Sequence, residues 1–93
     1  MKVEKCYKLI FTPEELEALN LLYKIAIPNS LNNNQQSVFD FIISHNVNNE
    51  TFTGLILLLD FTQNVILNQK ELNLWNELNN VRLEYLKTNK NEN

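Results

Sequence analysis

The stretch from Thr51 to Leu67 constrains this chain more than any other, because Leu55 to Leu59 are five apolar residues in a row. Successive helical residues turn by about 100°, so such a run is apolar almost all round the helix. A helix of that kind is buried rather than laid on a surface. The pattern predicts a central helix over about 50–66, with the rest of the chain covering it. Asp60 closes the run and is expected to mark where that helix meets water or a partner.

The flanking segments supply the cover. Thr12-Pro13-Glu14-Glu15 is a helix start, with Thr12 as cap, Pro13 at the first helical position and Glu15 completing a capping box. A helix over 13–26 follows, with Leu16, Leu19, Leu22, Tyr23 and Ala26 facing inward, Leu21 and Ile25 widening the face, and Pro28 ending it. Asn68 and Glu71 repeat the capping box and start a last helix over about 69–88. Its apolar residues Leu72, Leu74, Trp75, Leu78, Val81, Leu83, Tyr85 and Leu86 occupy an arc of roughly 200°. One neighbour needs little more than half of that. The last helix is therefore expected to be covered on two sides, by the central helix and by the first helix or a second subunit. Asn79 and Arg82 project from inside the arc, where a polar residue can fix register and partner choice.

Between these helices the signals are weaker. Residues 28–36 read as a polar connector. Residues 37–46 fit a helix face through Val38, Phe39, Ile42 and Ile43, but Phe39, Phe41 and Ile43 also alternate as in a strand. A helix over about 34–45 is the expectation. Asn49 or Thr51 is expected to cap the central helix, and 89–93 to form a polar, disordered tail. At the other end, Val3, Tyr7, Leu9 and Phe11 alternate with polar residues, which predicts one half-buried strand over 2–11. A strand needs a partner for its backbone groups. The candidates are 64–67, a segment near 27–31, or the same strand of a second chain. The lysines at 2, 5 and 8 read as a solvated edge.

The expected fold is therefore mainly α: one domain, a compact bundle of three to four helices around the central helix, with one N-terminal β-strand. The alternative is α+β with a small sheet. One glycine and two prolines in 93 residues agree with few turns and much helix.

Charge and cysteine use narrow the function. A net charge of −3 is opposite to what a phosphate-binding surface needs. Nucleic acid is thus not the expected partner. A DNA-binding transcriptional regulator would need a basic recognition helix, and Lys70, Arg82 and Lys87 are spread too widely along the last helix. Cys6 is the sole cysteine, so no internal disulfide forms. The reading is a cytoplasmic chain without signal peptide or membrane span. His45 and Cys6 lack neighbours of the right type for metal or nucleophilic chemistry. Accordingly, no enzyme activity, cofactor or metal is expected.

What remains is surface. Between Lys24 and Lys70 there is no Lys or Arg, and only Asp40, Glu50 and Asp60 are acidic. Interface cores are depleted in charge. The expectation is a small non-catalytic protein–protein interaction module, an inhibitor or adaptor of a host macromolecular system, acting as a homodimer. A small structural homodimer is the plainer alternative. The candidate interface is Val3, Tyr7, Leu9, Asp60, Trp75, Asn79, Arg82 and Tyr85. Seventeen asparagines against one glycine indicate A/T-rich codons, as in some phages and mobile elements.

Overall fold

The computed structural model describes residues 1–29 and 32–92. It is mainly helical, with four α-helices and a two-stranded antiparallel sheet at the N-terminus.

Helix α1 spans Pro13–Ala26, with both halves of the capping box made. The Glu15 amide donates to Thr12 Oγ1 at 3.2 Å, and the Thr12 amide donates to Glu15 Oε1 at 2.9 Å. Its inward residues are Ala18, Leu19, Leu22 and Ala26. Ala18 takes a place the sequence reading gave to Leu16, and Leu21 is exposed. A 3-10 turn over Ile27–Asn29 follows, so Pro28 ends the α-helix as expected.

Helix α2 spans Asn32–Ser44. Residues 32–36 therefore open a helix rather than complete a connector, and 30–31 of that connector lie outside the described residues. Val38, Phe41 and Ile42 face inward, while Phe39 and Ile43 face outward. The strand alternative for 37–46 is excluded, and Phe41 replaces Phe39 on the inner face. His45 ends the helix at φ 55°, a left-handed position of the kind that commonly follows a helix.

Helix α3 spans Phe52–Thr62, shorter at both ends than the predicted 50–66. Thr51 stands at its N-cap position, but its side chain makes no cap bond, and Asn49 does not cap it. Asn48 Oδ1 instead accepts from the amides of Glu50 at 2.8 Å and Thr51 at 3.0 Å. At the far end Thr62 Oγ1 donates back to the Leu58 carbonyl at 2.7 Å and lies 3.3 Å from that of Leu59. Such back-bonding competes with the backbone ladder and favours an end or a bend. Leu55, Leu58 and Leu59 are at most 1% exposed, each contributing roughly 2 kcal/mol. Ile56 and Leu57 are half-buried and Asp60 is exposed. The helix is thus central but not enclosed all round, because one outward flank has no cover.

Helix α4 spans Gln69–Glu92. Its predicted capping box is made: the Glu71 amide donates to Asn68 Oδ1 at 2.8 Å, and the Asn68 amide to Glu71 Oε1 at 2.9 Å. Leu74, Leu78, Val81 and Tyr85 face the core. The helix continues past the predicted stop at 88, and the tail's last residue, Asn93, lies outside the described residues.

The N-terminal segment departs most from expectation. It is a hairpin, β1 (Lys2–Glu4) against β2 (Lys8–Ile10), with Val3 opposite Leu9. The turn holds Cys6 at φ 61° and Tyr7 at φ 57°, both left-handed. The strand thus pairs with itself. The other edge of β2 pairs with the segment after α2: the Leu9 amide donates to the His45 carbonyl at 2.7 Å, and the Val47 amide to the Tyr7 carbonyl at 3.0 Å. Among the described residues, neither 64–67 nor the segment near 27–31 pairs with it.

The Met1 ammonium is nearly buried and bonds the Glu15 carboxylate, with Glu77 3.5 Å away. The hydrogen bond to Glu15 raises the ammonium pKa above its ordinary 8.0 against the opposing effect of burial. Burial alone would push Glu15 up, but the bonds from Met1 and Thr12 hold it below its ordinary 4.5. A lowered carboxyl stabilises above its unfolded pKa and loses that effect as pH falls through the folded value. A raised ammonium stabilises below its unfolded pKa and loses that effect as pH rises through the folded value. Glu15→Gln is therefore expected to cost about 1 kcal/mol between roughly pH 5 and 8, where both groups are charged. The deficit should shrink on either side of that window. Urea midpoints of the two proteins across pH 3–10 check this, and a deficit independent of pH would refute the charge argument.

Candidate interaction surface

The predicted interface residues fall into three groups. Leu9 and Tyr85, both in the candidate interface, are core residues of the single chain, 1% and 7% exposed. Leu9 faces in because β2 is the middle of three paired segments rather than an edge. Tyr85 is held by its own chain: its hydroxyl donates to Asn49 Oδ1 at 2.7 Å, and its ring meets Tyr7 and Phe52 at centroid distances of 5.3 and 4.7 Å. Tyr7 is half-buried against it, with its hydroxyl 2.8 Å from Thr88 Oγ1.

Trp75 is half-buried, and its Nε1–H reaches both the Leu59 carbonyl at 3.2 Å and Thr62 Oγ1 at 3.0 Å. It thus seals the end of α3 and keeps only part of its ring outside. Asn79 and Arg82 are also half-buried and bonded to one another, Arg82 Nε to Asn79 Oδ1 at 3.1 Å. Asp60 and Val3 are exposed.

Two outward faces carry exposed apolar side chains. On α2, Ile43 is 61% exposed and Phe39 41%, with Phe39 tilted against half-buried Tyr23 of α1 at 6.3 Å. This face lies inside the stretch without Lys or Arg, and Asp40 is its nearest charge in sequence. On α4, Leu72, Leu83 and Leu86 are 41–50% exposed. At about 100° per residue they and Asn79 fall within roughly 60° of one another on the flank beside α3. These leucines were inside the predicted arc. Ile66, 99% exposed in the α3–α4 connection, was not singled out. Its only sequence signal is an apolar pair, Val65-Ile66, in a short segment bounded by the turn formers Asn64 and Asn68.

The charged side chains of one groove are already paired. This groove, of about 310 Å³ between the first turns of α1 and α4, is lined by Glu14, Glu15, Glu77 and Lys70. Glu15 and Glu77 face Met1, and Glu14 lies 3.7 Å from Lys70. No group of three His, Cys, Asp or Glu side chains suited to a metal ion forms among the described residues. His45 packs edge-on against Phe11 at 5.2 Å, and Cys6 is exposed in the hairpin turn. Lys70, Arg82 and Lys87 point in directions roughly 100–140° apart around α4, so they form no basic face. No helix among the described residues is long and apolar enough to cross a membrane.

No protein-family model, curated protein or solved structure matches the chain.

Proposed function

We propose that this chain is a small non-catalytic protein–protein interaction module, an inhibitor or adaptor that acts by covering a surface of another protein. One observation carries the reading: Phe39, tilted against Tyr23, and Ile43 stand exposed on α2, within a stretch of the chain that has no Lys or Arg. Desolvating such a face costs little, because its polar neighbours are mostly Asn, Gln, Ser and Thr. Aromatic and aliphatic anchors at the centre of a patch supply most of the binding energy of an interface. The A/T-biased residue usage agrees with a phage or mobile-element source and a host protein as target.

Affinity capture from a host lysate, wild type beside Ile43→Asp, tests the reading. Ile43 is more than half exposed, so the variant should keep its helical circular dichroism. The expected result is a prey protein retained by the wild type and reduced at least tenfold with the variant. Equal recovery by the two, or no prey above background, would overturn it.

A further inference from the structure

We propose that the outer flank of α4 binds a second copy of this chain, antiparallel, about a twofold axis through Asn79. The flank is self-complementary in that direction. Leu72 and Leu86 lie seven residues on either side of Asn79, Trp75 and Leu83 four, Asn76 and Arg82 three. Spacings of three, four and seven keep residues on one helical stripe. In an isologous contact residue i meets j while j meets i. Leu72 then meets Leu86 of the second copy, Trp75 meets Leu83, and Asn79 meets itself.

The charges select this direction over the parallel one. Arg82 is the charged side chain of the stripe, and its Nε–H donates to Asn79 of its own chain. Parallel pairing stacks it on its own twin. Antiparallel pairing sets it against neutral Asn76. The Asn79 amides meet on the axis, each with hydrogens left to donate.

Size predicts a weak association. From Leu72 to Leu86 the stripe is about 21 Å long. One helix face of that length falls short of the roughly 800 Å² per partner of a stable complex. Half-buried Phe52 and Ile56 on α3 extend it. A dissociation constant in the micromolar range follows.

Cross-linking in a Cys6→Ser background tests the axis, since that removes the sole cysteine. Facing helices about 8–10 Å apart bring Cα atoms on the axis to about 3.5–5.5 Å, in or near disulfide range. Asn79→Cys should form the disulfide dimer under mild oxidation. Asn76→Cys and Arg82→Cys alone should not, because their twins lie about 9 Å apart along the axis. The two combined should. Leu83→Glu should hold the mass near 11.0 kDa by sedimentation at concentrations where the parent chain approaches twice that. The proposal fails if the single variants at 76 and 82 cross-link as readily as the one at 79. It fails equally if the parent chain stays monomeric at 0.5 mM. Should Leu83→Glu fail to fold, the cross-linking pattern still decides. The Ile43 face plays no part in any arm, so this outcome is separate from that of the capture experiment.

Discussion

Gly54→Ala is expected to destabilise the protein by about 2–4 kcal/mol, although alanine is the better helix former by roughly 1 kcal/mol. A Cβ at position 54 would stand 2.1 Å from the Ser37 carbonyl oxygen, 2.8 Å from its carbon and 2.9 Å from Phe41 Cβ. The first two are backbone atoms of α2, so no rotamer change relieves the contact. Helix α2 must move by about 1 Å or more, and dense cores resist such shifts at a cost of roughly 1–3 kcal/mol or above. The shift also opens the packing around Val38 and Phe41, which are at most 1% exposed. In a chain of this size the loss is a large part of a total near 5–10 kcal/mol. The thermal midpoint should fall by roughly 10–25 °C. A midpoint within 2 °C of the parent would show that α2 and α3 do not meet at Gly54.

Trp75→Ala is expected to cost about 3 kcal/mol, at the low end for a tryptophan because the ring is only partly buried. Two losses combine. The ring leaves a cavity beside α3, and the Leu59 carbonyl and Thr62 hydroxyl lose their Nε1–H donor. Trp75→Phe separates them by keeping most of the bulk, and it should cost nearer 1 kcal/mol. Urea unfolding followed by circular dichroism measures both, since either change removes the sole fluorescent tryptophan. If the two substitutions cost the same, the hydrogen bonds rather than the packing hold α3 to α4. Because Trp75→Ala disturbs the core, it is a poor probe of self-association. Leu83, half exposed, is the cleaner one.

How far the sequence could be read depended on whether a signal was local. Both capping boxes were legible because Thr12 with Glu15, and Asn68 with Glu71, form their bonds within three residues. The α1 boundaries followed. Leu55–Leu59 announced the core helix, and Asn79 with Arg82 announced a polar interruption on the α4 arc. The hairpin was not legible. It places Cys6 and Tyr7 in left-handed conformations without the Asn or Gly that normally signals such a turn. Alternation over 2–11 then reads as one strand, because Val3 and Leu9 share a face either way. The cap of α3 was missed because Asn48 acts from outside the helix while Asn49 reaches Tyr85, 36 residues on. Nothing near Tyr85 in sequence distinguishes it from Leu83 and Leu86, which stay outside.

Tyr85 touches Tyr7, Asn49 and Phe52, so it gathers the hairpin, the α2–α3 turn and α3 onto the last helix. That arrangement sets an order during synthesis. Helix α1 is complete at Ala26, yet the residue that ties the other parts together is translated 59 positions later. At about 5–20 residues per second the nascent chain waits roughly 3–12 s. Leu55, Leu58 and Leu59 are made partway through that interval, and for the last 26 positions before Tyr85, roughly 1–5 s, they have no complete last helix to cover them.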